Sequence, residues 1–238
     1  MAKTVEHTGP FILAMDTATP LGSVALFSED TLLGQIEYRR AKSHARLLSS
    51  MVQQLLTDME VEMHALSAIA VADGPGSYTG LRVSTSTAKG LCMALDKPLM
   101  ALPSLEGIAW KVQDLASQLD AKIISMLDAR RMEVYCQQYN SDLETETEIE
   151  AKIIEEDAFA DLLADHKVIF VGDGVAKCRE ILSASPNAIC LPEVLSSASN
   201  MGPALWRKYQ AEDFVDLVGF EPFYLKPFRA TKARNRLL

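Results

Sequence analysis

Two successive series of short strands and helices predict an α/β fold made of two similar halves. Three observations support it: apolar runs of strand length, helical spacing of apolar residues from Ser43 to Met59, and a second series of the same kind after residue 119. The first half has the order β-β-β-α-β-α-β-α, which is the order of a ribonuclease-H-like half-domain. A duplicated ribonuclease-H-like fold, with mixed sheets flanked by helices, is typical of the actin, sugar-kinase and chaperone-ATPase superfamily.

Changes in the spacing of apolar residues mark the elements of the first half. A continuous apolar run such as F11-I-L-A-M15 predicts a buried strand, and turn residues such as D16-T-A-T-P-L-G22 predict a tight connection. The predicted elements are, in order, strands at 11–15, 23–27 and 31–38, a helix at 43–59, a strand at 66–72, a helix at 80–95, a strand at 98–102 and a helix at 104–118.

The second half repeats this plan. Its predicted elements are strands at 122–127, 132–139 and 144–150, a helix at 156–164, a strand at 168–171, a helix at 174–183, a short strand near Ile189 and a helix at 197–211. We expect a leader outside the fold at 1–10, subdomains at 11–119 and 120–225, and a basic tail at 226–238. The last helix can pack back on the first half.

The helix at 43–59 carries more apolar surface than one sheet can cover. Its apolar residues form two adjoining stripes: Leu47, Leu48, Met51, Val52, Leu55, Leu56 and Met59. A wide apolar face is rarely left in water, so we expect the second stripe to meet another chain.

The composition argues against several classes of protein. The net charge of −9 opposes nucleic-acid binding over the surface as a whole, and no apolar run reaches the roughly 20 residues of a membrane helix. Neither a C-x-x-C pair nor a paired set of histidines is present, which argues against a zinc or redox site. The N-terminus lacks the apolar core of a signal peptide, so we expect a cytoplasmic protein.

A basic tail is the local exception to the negative charge. The segment from Lys226 to Leu238 contains five basic residues and no acidic one: Lys226, Arg229, Lys232, Arg234 and Arg236. These side chains are candidate contacts to nucleic acid, and the alternative is a solvated end or a clamp on an acidic partner protein.

The glycine-rich loop from Gly74 to Arg82 fits none of three catalytic templates. It lacks the G-K-[ST] end of a Walker A loop, is one residue too long for G-x-G-x-x-G, and has Pro75 where G-x-S-x-G requires glycine. What remains is a strand, a tight turn and a helix with Ser77 or Thr79 as its N-cap, an end that either is simply capped or holds an anion. The small residues S84-T-S-T-A88 allow this helix to pack closely on its own sheet or on another chain.

Motifs along most of the chain resemble those of the TsaB family, also called YeaZ. They are I12-L-A-M-D-T-A18 with S23-V-A-L26, H44-A-R-L-L-S-S-M51, the loop Gly74 to Arg82, A88-K-G-L91, S104-L-E106, D128-A-R130 with E133-V-Y135, G172-D-G174, and Pro222 with Tyr224 to Lys226. The loop is the specific signal. Ser84 stands where the family usually has glycine, and residues 1–10 precede the point where its members commonly begin.

The resemblance implies a role beside TsaD in making N6-threonylcarbamoyladenosine next to the anticodon of tRNAs that read ANN codons. In TsaD the run H-x-E-G-H binds the catalytic metal through its two histidines, whereas the corresponding run here is S104-L-E-G-I108. Ser104 and Ile108 cannot replace two imidazoles. The resemblance therefore implies a catalytically silent scaffold with no catalytic residue, metal or cofactor of its own. ATP, the divalent metal and threonylcarbamoyl adenylate are expected in the partner subunits.

The resemblance also implies pairing with TsaD through the helices that begin near Ser43 and Thr79. The implied interface residues are His44, Leu47, Leu48, Met51, Leu55, Tyr78, Arg82, Thr85 and Lys89. TsaE is expected to bind through the complex. The complex is also expected to bind tRNA, with the basic tail as a candidate contact. Without its partner, the chain is expected to form a homodimer through the same surface.

The alternative is a free-standing enzyme, either a nucleotide-dependent small-molecule kinase or a glycoprotease-like hydrolase. Asp16 and Thr17 lie where active kinases of this fold hold magnesium-nucleotide, and Gly172 and Gly174 lie where they hold adenosine. A structural explanation is also available, in which Asp16 caps a turn and the glycines let a strand bend into a helix. We favour it because no catalytic base or metal cluster accompanies these residues.

Overall fold

Two five-stranded mixed sheets form the framework of the protein. A computed structural model describes residues 9–40 and 43–226 of the chain. In the first sheet the strands are β1 Phe11–Asp16, β2 Leu21–Ser28, β3 Thr31–Arg39, β4 Leu66–Gly74 and β5 Leu99–Pro103, in the spatial order β3-β2-β1-β4-β5. In the second they are β6 Lys122–Asp128, β7 Glu133–Tyr139, β8 Glu150–Ile153, β9 Val168–Val171 and β10 Ala188–Leu191, in the order β10-β9-β6-β7-β8.

The two sheets have the same topology, which confirms the predicted duplicated ribonuclease-H-like fold. In each sheet the first three strands pair antiparallel and the last two join in parallel. The helices are α1 His44–Asp58, α2 Tyr78–Leu95, α3 Ser104–Trp110, α4 Gln113–Leu119, α5 Ala160–Asp165, α6 Val175–Leu182 and α7 Gly202–Gln210. None of the described helices is both long and apolar enough to cross a membrane.

Helices cover both faces of each sheet. One face of the first sheet packs against α1 and α2, and the other packs against α7, whose Ala204 and Leu205 are buried there. In the second sheet, α3 and α4 contribute to one core cluster and α5 and α6 to the other. The last helix therefore packs on the first half.

Three predicted elements differ from the observed ones because local contacts interrupt them. The helix predicted at 104–118 breaks into α3 and α4, and Val112 at the break is buried in the same cluster as Ala116. The helix predicted at 156–164 begins only at Ala160, after the left-handed Phe159. The helix predicted at 197–211 is a short 3-10 turn followed by α7.

The edge strand predicted at 144–150 was also wrong, because β8 begins at Glu150. Asn140 controls the preceding turn, in which its Oδ1 accepts the backbone N–H groups of Asp142 and Glu144 at 3.0 and 2.9 Å. Alternation of acidic residues with threonine resembled a strand, but the first of these residues are held in the turn.

The C-terminal segment, defined here as residues 213–226, returns to the first half. Val215 donates its backbone N–H to Leu99 O at 2.9 Å, and Phe223 donates to Asp73 O at 2.8 Å. The ammonium of Lys89 on α2 donates to the carbonyls of Val218 and Phe220 at 3.1 and 2.9 Å. This segment therefore fastens the end of the described chain to β4, β5 and α2.

The beginning of the chain also contacts the first sheet. The carbonyl of Pro10 accepts the backbone N–H of Glu29 at 3.1 Å, so the last residue of the predicted leader extends the β1–β2 hairpin. Residues 1–8 of that leader lie outside the described part of the chain.

Candidate functional site

A cleft of about 1010 Å³ opens between the two halves. Four segments form most of its lining: the turn after β1, the glycine-rich loop, the turn between β6 and β7, and the end of the C-terminal segment. Ile153 of β8 and Asp173 of the turn after β9 complete it. In the glycine-rich loop, Ser77 is the N-cap of α2, and its hydroxyl accepts the Gly80 N–H at 3.3 Å. The choice left open between Ser77 and Thr79 is thus decided for Ser77.

Asp16 is held by internal hydrogen bonds behind this cleft. The residue is 1% exposed; its Oδ1 accepts the Ala18 N–H at 2.7 Å and its Oδ2 accepts the Ser196 hydroxyl at 2.5 Å. Burial raises the pKa of Asp16, and the hydrogen bonds from Ser196 and Ala18 oppose that rise. To reach a metal or a nucleotide, the carboxylate would have to give up its contact with Ser196, a residue from the other end of the chain.

Replacing Ser196 by alanine is expected to lower the free energy of unfolding by about 1–3 kcal/mol, because a buried carboxylate oxygen loses its donor. Urea unfolding measures this change. Ser49→Ala, at an exposed position of α1, is the matched control and is expected to change stability by less than about 0.5 kcal/mol. Equal midpoints for the two variants would show that the Ser196 hydroxyl does not stabilise Asp16.

The other nucleotide candidates are also engaged in packing. Thr17 donates its hydroxyl to Gly80 O at 2.7 Å, which joins the turn after β1 to α2. A Cβ on Gly172 would lie 2.2 Å from Met126 O, and Gly174 donates its N–H to that same oxygen at 3.1 Å. These glycines let the turn after β9 lie directly on β6.

The positions that correspond to the TsaD metal ligands carry no comparable site. Ser104 is 2% exposed, Ile108 is 0% exposed in a core cluster, and Glu106 accepts the Trp110 ring N–H at 3.4 Å. Burial raises the pKa of Glu106. Among residues 9–40 and 43–226, no group of three or more histidine, cysteine, aspartate and glutamate side chains is placed to hold a metal ion.

Asp73, just before the glycine-rich loop, is a half-buried acid that the sequence analysis missed. Its Oδ1 is covered and has no hydrogen-bond partner, and burial raises its pKa to about 6. Lys208 opposes this rise, and the neighbouring Glu106 adds to it. The sequence does contain a signal for it, namely an acidic residue that follows the apolar run L66-S-A-I-A-V-A72 and directly precedes a glycine.

The structure corrects the prediction of a free apolar stripe on α1. Leu48, Met51 and Leu55 are buried in the first core cluster, with exposures of 1%, 4% and 2%. Thr85 of α2 is also buried, at 5%. The stripe is covered within the chain because α1 contacts both the first sheet and α2.

The remaining predicted interface residues are at least partly exposed. His44 and Leu47 are half-buried, and Lys89 is bound to carbonyls of the C-terminal segment. Arg82 is exposed; its guanidinium lies 4.5 Å from the centre of the Tyr78 ring and donates to the Tyr224 hydroxyl at 3.2 Å.

Two neighbouring helix faces are open to solvent. The exposed residues of α1 are polar apart from Ala45: Ala45, Arg46, Ser49, Ser50, Gln53, Gln54, Thr57 and Asp58. The outward face of α2 consists of Arg82, Ser86, Gly90 and Met93, of which Met93 is 75% exposed. A Cβ on Gly90 would meet nothing within 4 Å.

Of the predicted tail contacts, Lys226 is within the described residues. Its ammonium pairs with Glu133 and lies 5.9 Å from the centre of the Tyr135 ring, so it faces the cleft. The other predicted contacts, Arg229, Lys232, Arg234 and Arg236, lie outside the described residues.

Comparison with known proteins decides the family. The family model described as "TsaD: tRNA N6-adenosine threonylcarbamoyltransferase" matches residues 32–221. The "tRNA threonylcarbamoyladenosine biosynthesis protein TsaB" of Escherichia coli (strain K12) is 31% identical over 226 residues, which cover 90% of this chain and 94% of that protein. The chain belongs to the TsaB family. The family resemblance found in the sequence is thereby confirmed.

Other TsaB-family proteins match this chain at different lengths. The Bacillus subtilis (strain 168) protein of the same name is 39% identical over 124 residues, about half of either chain at 52% of each. The solved structure "YeaZ from Pseudomonas aeruginosa" has a TM-score of 0.76 and 26% identity, and the match covers 91% of this chain and 100% of that one.

A solved structure outside the family shares the fold alone. It is a polyphosphate/ATP-glucomannokinase from Arthrobacter, with a TM-score of 0.51 and 12% identity.

Proposed function

We propose that this chain takes part in forming threonylcarbamoyladenosine in tRNA as a non-catalytic scaffold that binds and activates TsaD. The names of its TsaB relatives support the process. The observation that carries the non-catalytic part is the engagement of Asp16, whose two carboxylate oxygens both accept hydrogen bonds from the chain itself. The hydroxyl of the adjoining turn residue Thr17 also forms a hydrogen bond within the chain, to the carbonyl of Gly80.

A free-standing kinase or hydrolase is the less supported alternative. It would need Asp16 to leave Ser196 and Ala18, and a catalytic base to stand beside it. Among the described residues near the metal-ligand positions, Ser104 and Ile108 offer neither an imidazole nor a carboxylate.

The open faces of α1 and α2 are the docking surface in this proposal. Ser86 and Gly90 have short or absent side chains at the centre of the α2 face, and Met93 adds an exposed apolar group beside them. The distance between packed helices depends on the side chains at the contact, so these residues allow another helix to approach closely. The polar residues of α1 would then form the rim of the interface.

The homodimer expected without TsaD rested, like the pairing with TsaD, on an uncovered apolar stripe on α1. That stripe is buried in the chain's own core. The proposal keeps TsaD as the partner because the names of the relatives support the process and because the outer faces of α1 and α2 are open, and it includes no homodimer.

Replacing Ser86 by arginine is expected to weaken binding to TsaD at least tenfold, or by about 1.4 kcal/mol, because a long charged side chain would separate the helices. Calorimetric titration of the two full chains measures the dissociation constant. Gln118→Arg, at an exposed position of α4 beside the second sheet, adds the same charge and is expected to leave affinity unchanged. Leu48→Arg and Met51→Arg are unsuitable because both would place a charge in the core.

Unchanged affinity in Ser86→Arg, with a normal unfolding temperature, would exclude the α2 face from the interface. Equal weakening by Gln118→Arg would show that the added charge, and not its position, reduces binding.

A further inference from the structure

The turn between β6 and β7 places two arginines at the cleft, of which Arg130 interacts electrostatically with the Asp128 carboxylate of the same turn. Asp128 of this turn pairs with Lys177, and Glu133 pairs with Lys226. Arg130 and Arg131 line the same cleft, and neither forms a salt bridge within the described residues. The cleft therefore has positive side chains available for an anion.

The conformation of this turn is unusual for arginine. Both residues have left-handed backbone angles, with φ of 74° for Arg130 and 51° for Arg131. Such angles are disfavoured outside glycine, asparagine and aspartate. The turn is held by Asp128, whose Oδ1 accepts the Arg130 N–H at 2.8 Å, and by a bond from the Glu133 N–H to Arg130 O at 3.2 Å. The two guanidinium groups are thus presented from a fixed backbone.

Aromatic side chains line the cleft beside these arginines. Tyr78 and Tyr224 lie with ring centres 4.7 Å apart, and Tyr135 belongs to the opposite half. Phe223 is 43% exposed and also lines the cleft. Aromatic faces next to cations provide the chemistry that binds unpaired bases, because each base stacks while its phosphate meets positive charge.

The inner end of the cleft is closed to a ligand of this kind. Asp16, Thr17, Gly172 and Gly174 are occupied by contacts within the chain and are not among the lining residues. Arg130, Arg131, Tyr135, Phe223 and Tyr224, which we call the cleft mouth, remain accessible. A ligand would therefore meet the cleft mouth and not the side chains of Asp16 and Thr17.

We propose that the cleft mouth binds an unpaired RNA nucleotide, with a phosphate at Arg130 and Arg131 and the base against the aromatic side chains. The choice of RNA rests on the proposed function. The preference for an anion joined to a planar ring rests on the arginine and aromatic side chains of the cleft mouth. The net charge of −9 opposes binding, so the contact is weak in the chain alone and strongest at low salt.

Fluorescence anisotropy of the full chain with a labelled ten-nucleotide single-stranded RNA, at several salt concentrations, tests this proposal. The double variant Arg130→Gln, Arg131→Gln is expected to bind about tenfold more weakly, with the salt slope reduced by about 1.4 for two lost phosphate contacts. Phe223→Ala is expected to weaken binding about fivefold or more through lost stacking. Arg179→Gln, at an exposed position of α6 outside the cleft, is the control for the loss of a positive charge elsewhere and is expected to bind as the parent chain does.

Four results would overturn the proposal. The first is unchanged RNA affinity in the double variant, and the second is equal affinity for a blunt RNA duplex of the same length. The third is complete competition by AMP at the same nucleotide concentration, which would assign the site to a free nucleotide. Loss of RNA binding only on removal of residues 227–238, with the double variant unaffected, would likewise assign binding to the tail.

The test is independent of the scaffold proposal. RNA binding is measured without TsaD. The double variant is expected to bind TsaD with parent affinity because Arg130 and Arg131 lie on the β6–β7 turn of the second half, whereas the docking faces of α1 and α2 belong to the first half. Failure of the RNA experiment would leave TsaD docking intact, whereas failure of Ser86→Arg to weaken TsaD binding would leave the RNA result standing.

Discussion

Replacing Gly80 by alanine is expected to prevent stable folding, whereas the same replacement at Gly90 in the same helix is expected to stabilise the protein. An added Cβ at Gly80 would lie 1.9 Å from the carbonyl oxygen of Thr17. That oxygen belongs to the backbone of the turn after β1, which cannot move without disturbing Asp16 and its bond to Ser196. The cost is expected to exceed about 4 kcal/mol, a large part of the stability of an ordinary domain.

Gly90 provides the control because it receives the same replacement in the same helix without the close contact. Nothing lies within 4 Å of an added Cβ there, so alanine is expected to raise the free energy of unfolding by about 0.5–1 kcal/mol. Circular dichroism during thermal unfolding, with the soluble yield of each variant, measures both effects. A Gly80→Ala protein that unfolds at the parent temperature would show that the turn after β1 does not approach α2 as closely as described.

Replacing Asp73 by asparagine is expected to stabilise the protein near neutral pH and to have little effect in acid. Burial raises the pKa of Asp73 from 3.8 to about 6, so between these values the folded chain binds more protons than the unfolded chain. The contribution of Asp73 to the free energy of unfolding is therefore most favourable below pH 3.8, and it falls as the pH rises through 6. Above pH 6 this contribution is lower than below pH 3.8 by at most about 3 kcal/mol, since each pKa unit is worth about 1.4 kcal/mol.

Urea unfolding of parent and Asp73→Asn chains at several pH values between 4 and 8 measures this dependence, and the gain should approach about 2–3 kcal/mol at the upper end. The exposed Asp142→Asn is the control and is expected to change stability by less than about 0.5 kcal/mol throughout. A gain that does not depend on pH would indicate that the introduced amide stabilises through a new hydrogen bond and not through removal of a buried charge.

Much of the fold could be predicted from local pattern. Runs such as F11-I-L-A-M15 and V168-I-F-V171 are long enough and apolar enough to identify buried strands, and their order along the chain indicated the duplicated topology. Boundaries were predicted less well where a side chain competes with regular structure. Asn140 is the clearest case, since its hydrogen bonds hold residues that otherwise alternate like a strand.

The candidate site was predicted only in part because its contacts join distant residues. Asp16 and Ser196 are 180 residues apart, and no pattern near either one indicates their hydrogen bond. Likewise, the spacing of apolar residues on α1 gives the width of its apolar face but not what covers it. The sheet and α2 together bury Leu48, Met51 and Leu55, whereas Leu47 stays half-buried.

The sequence by itself determined the duplicated architecture, the family, and the absence of imidazoles at positions 104 and 108, because element order and residue identity are local properties of the chain. Only the tertiary structure decided which side chains remain available. Asp16 accepts a hydrogen bond from Ser196, and the α1 residues Leu48, Met51 and Leu55 are buried. Arg130 and Arg131 form no salt bridge in the described chain. Availability depends on which distant groups fold together, since burial and hydrogen bonding are properties of neighbours in space.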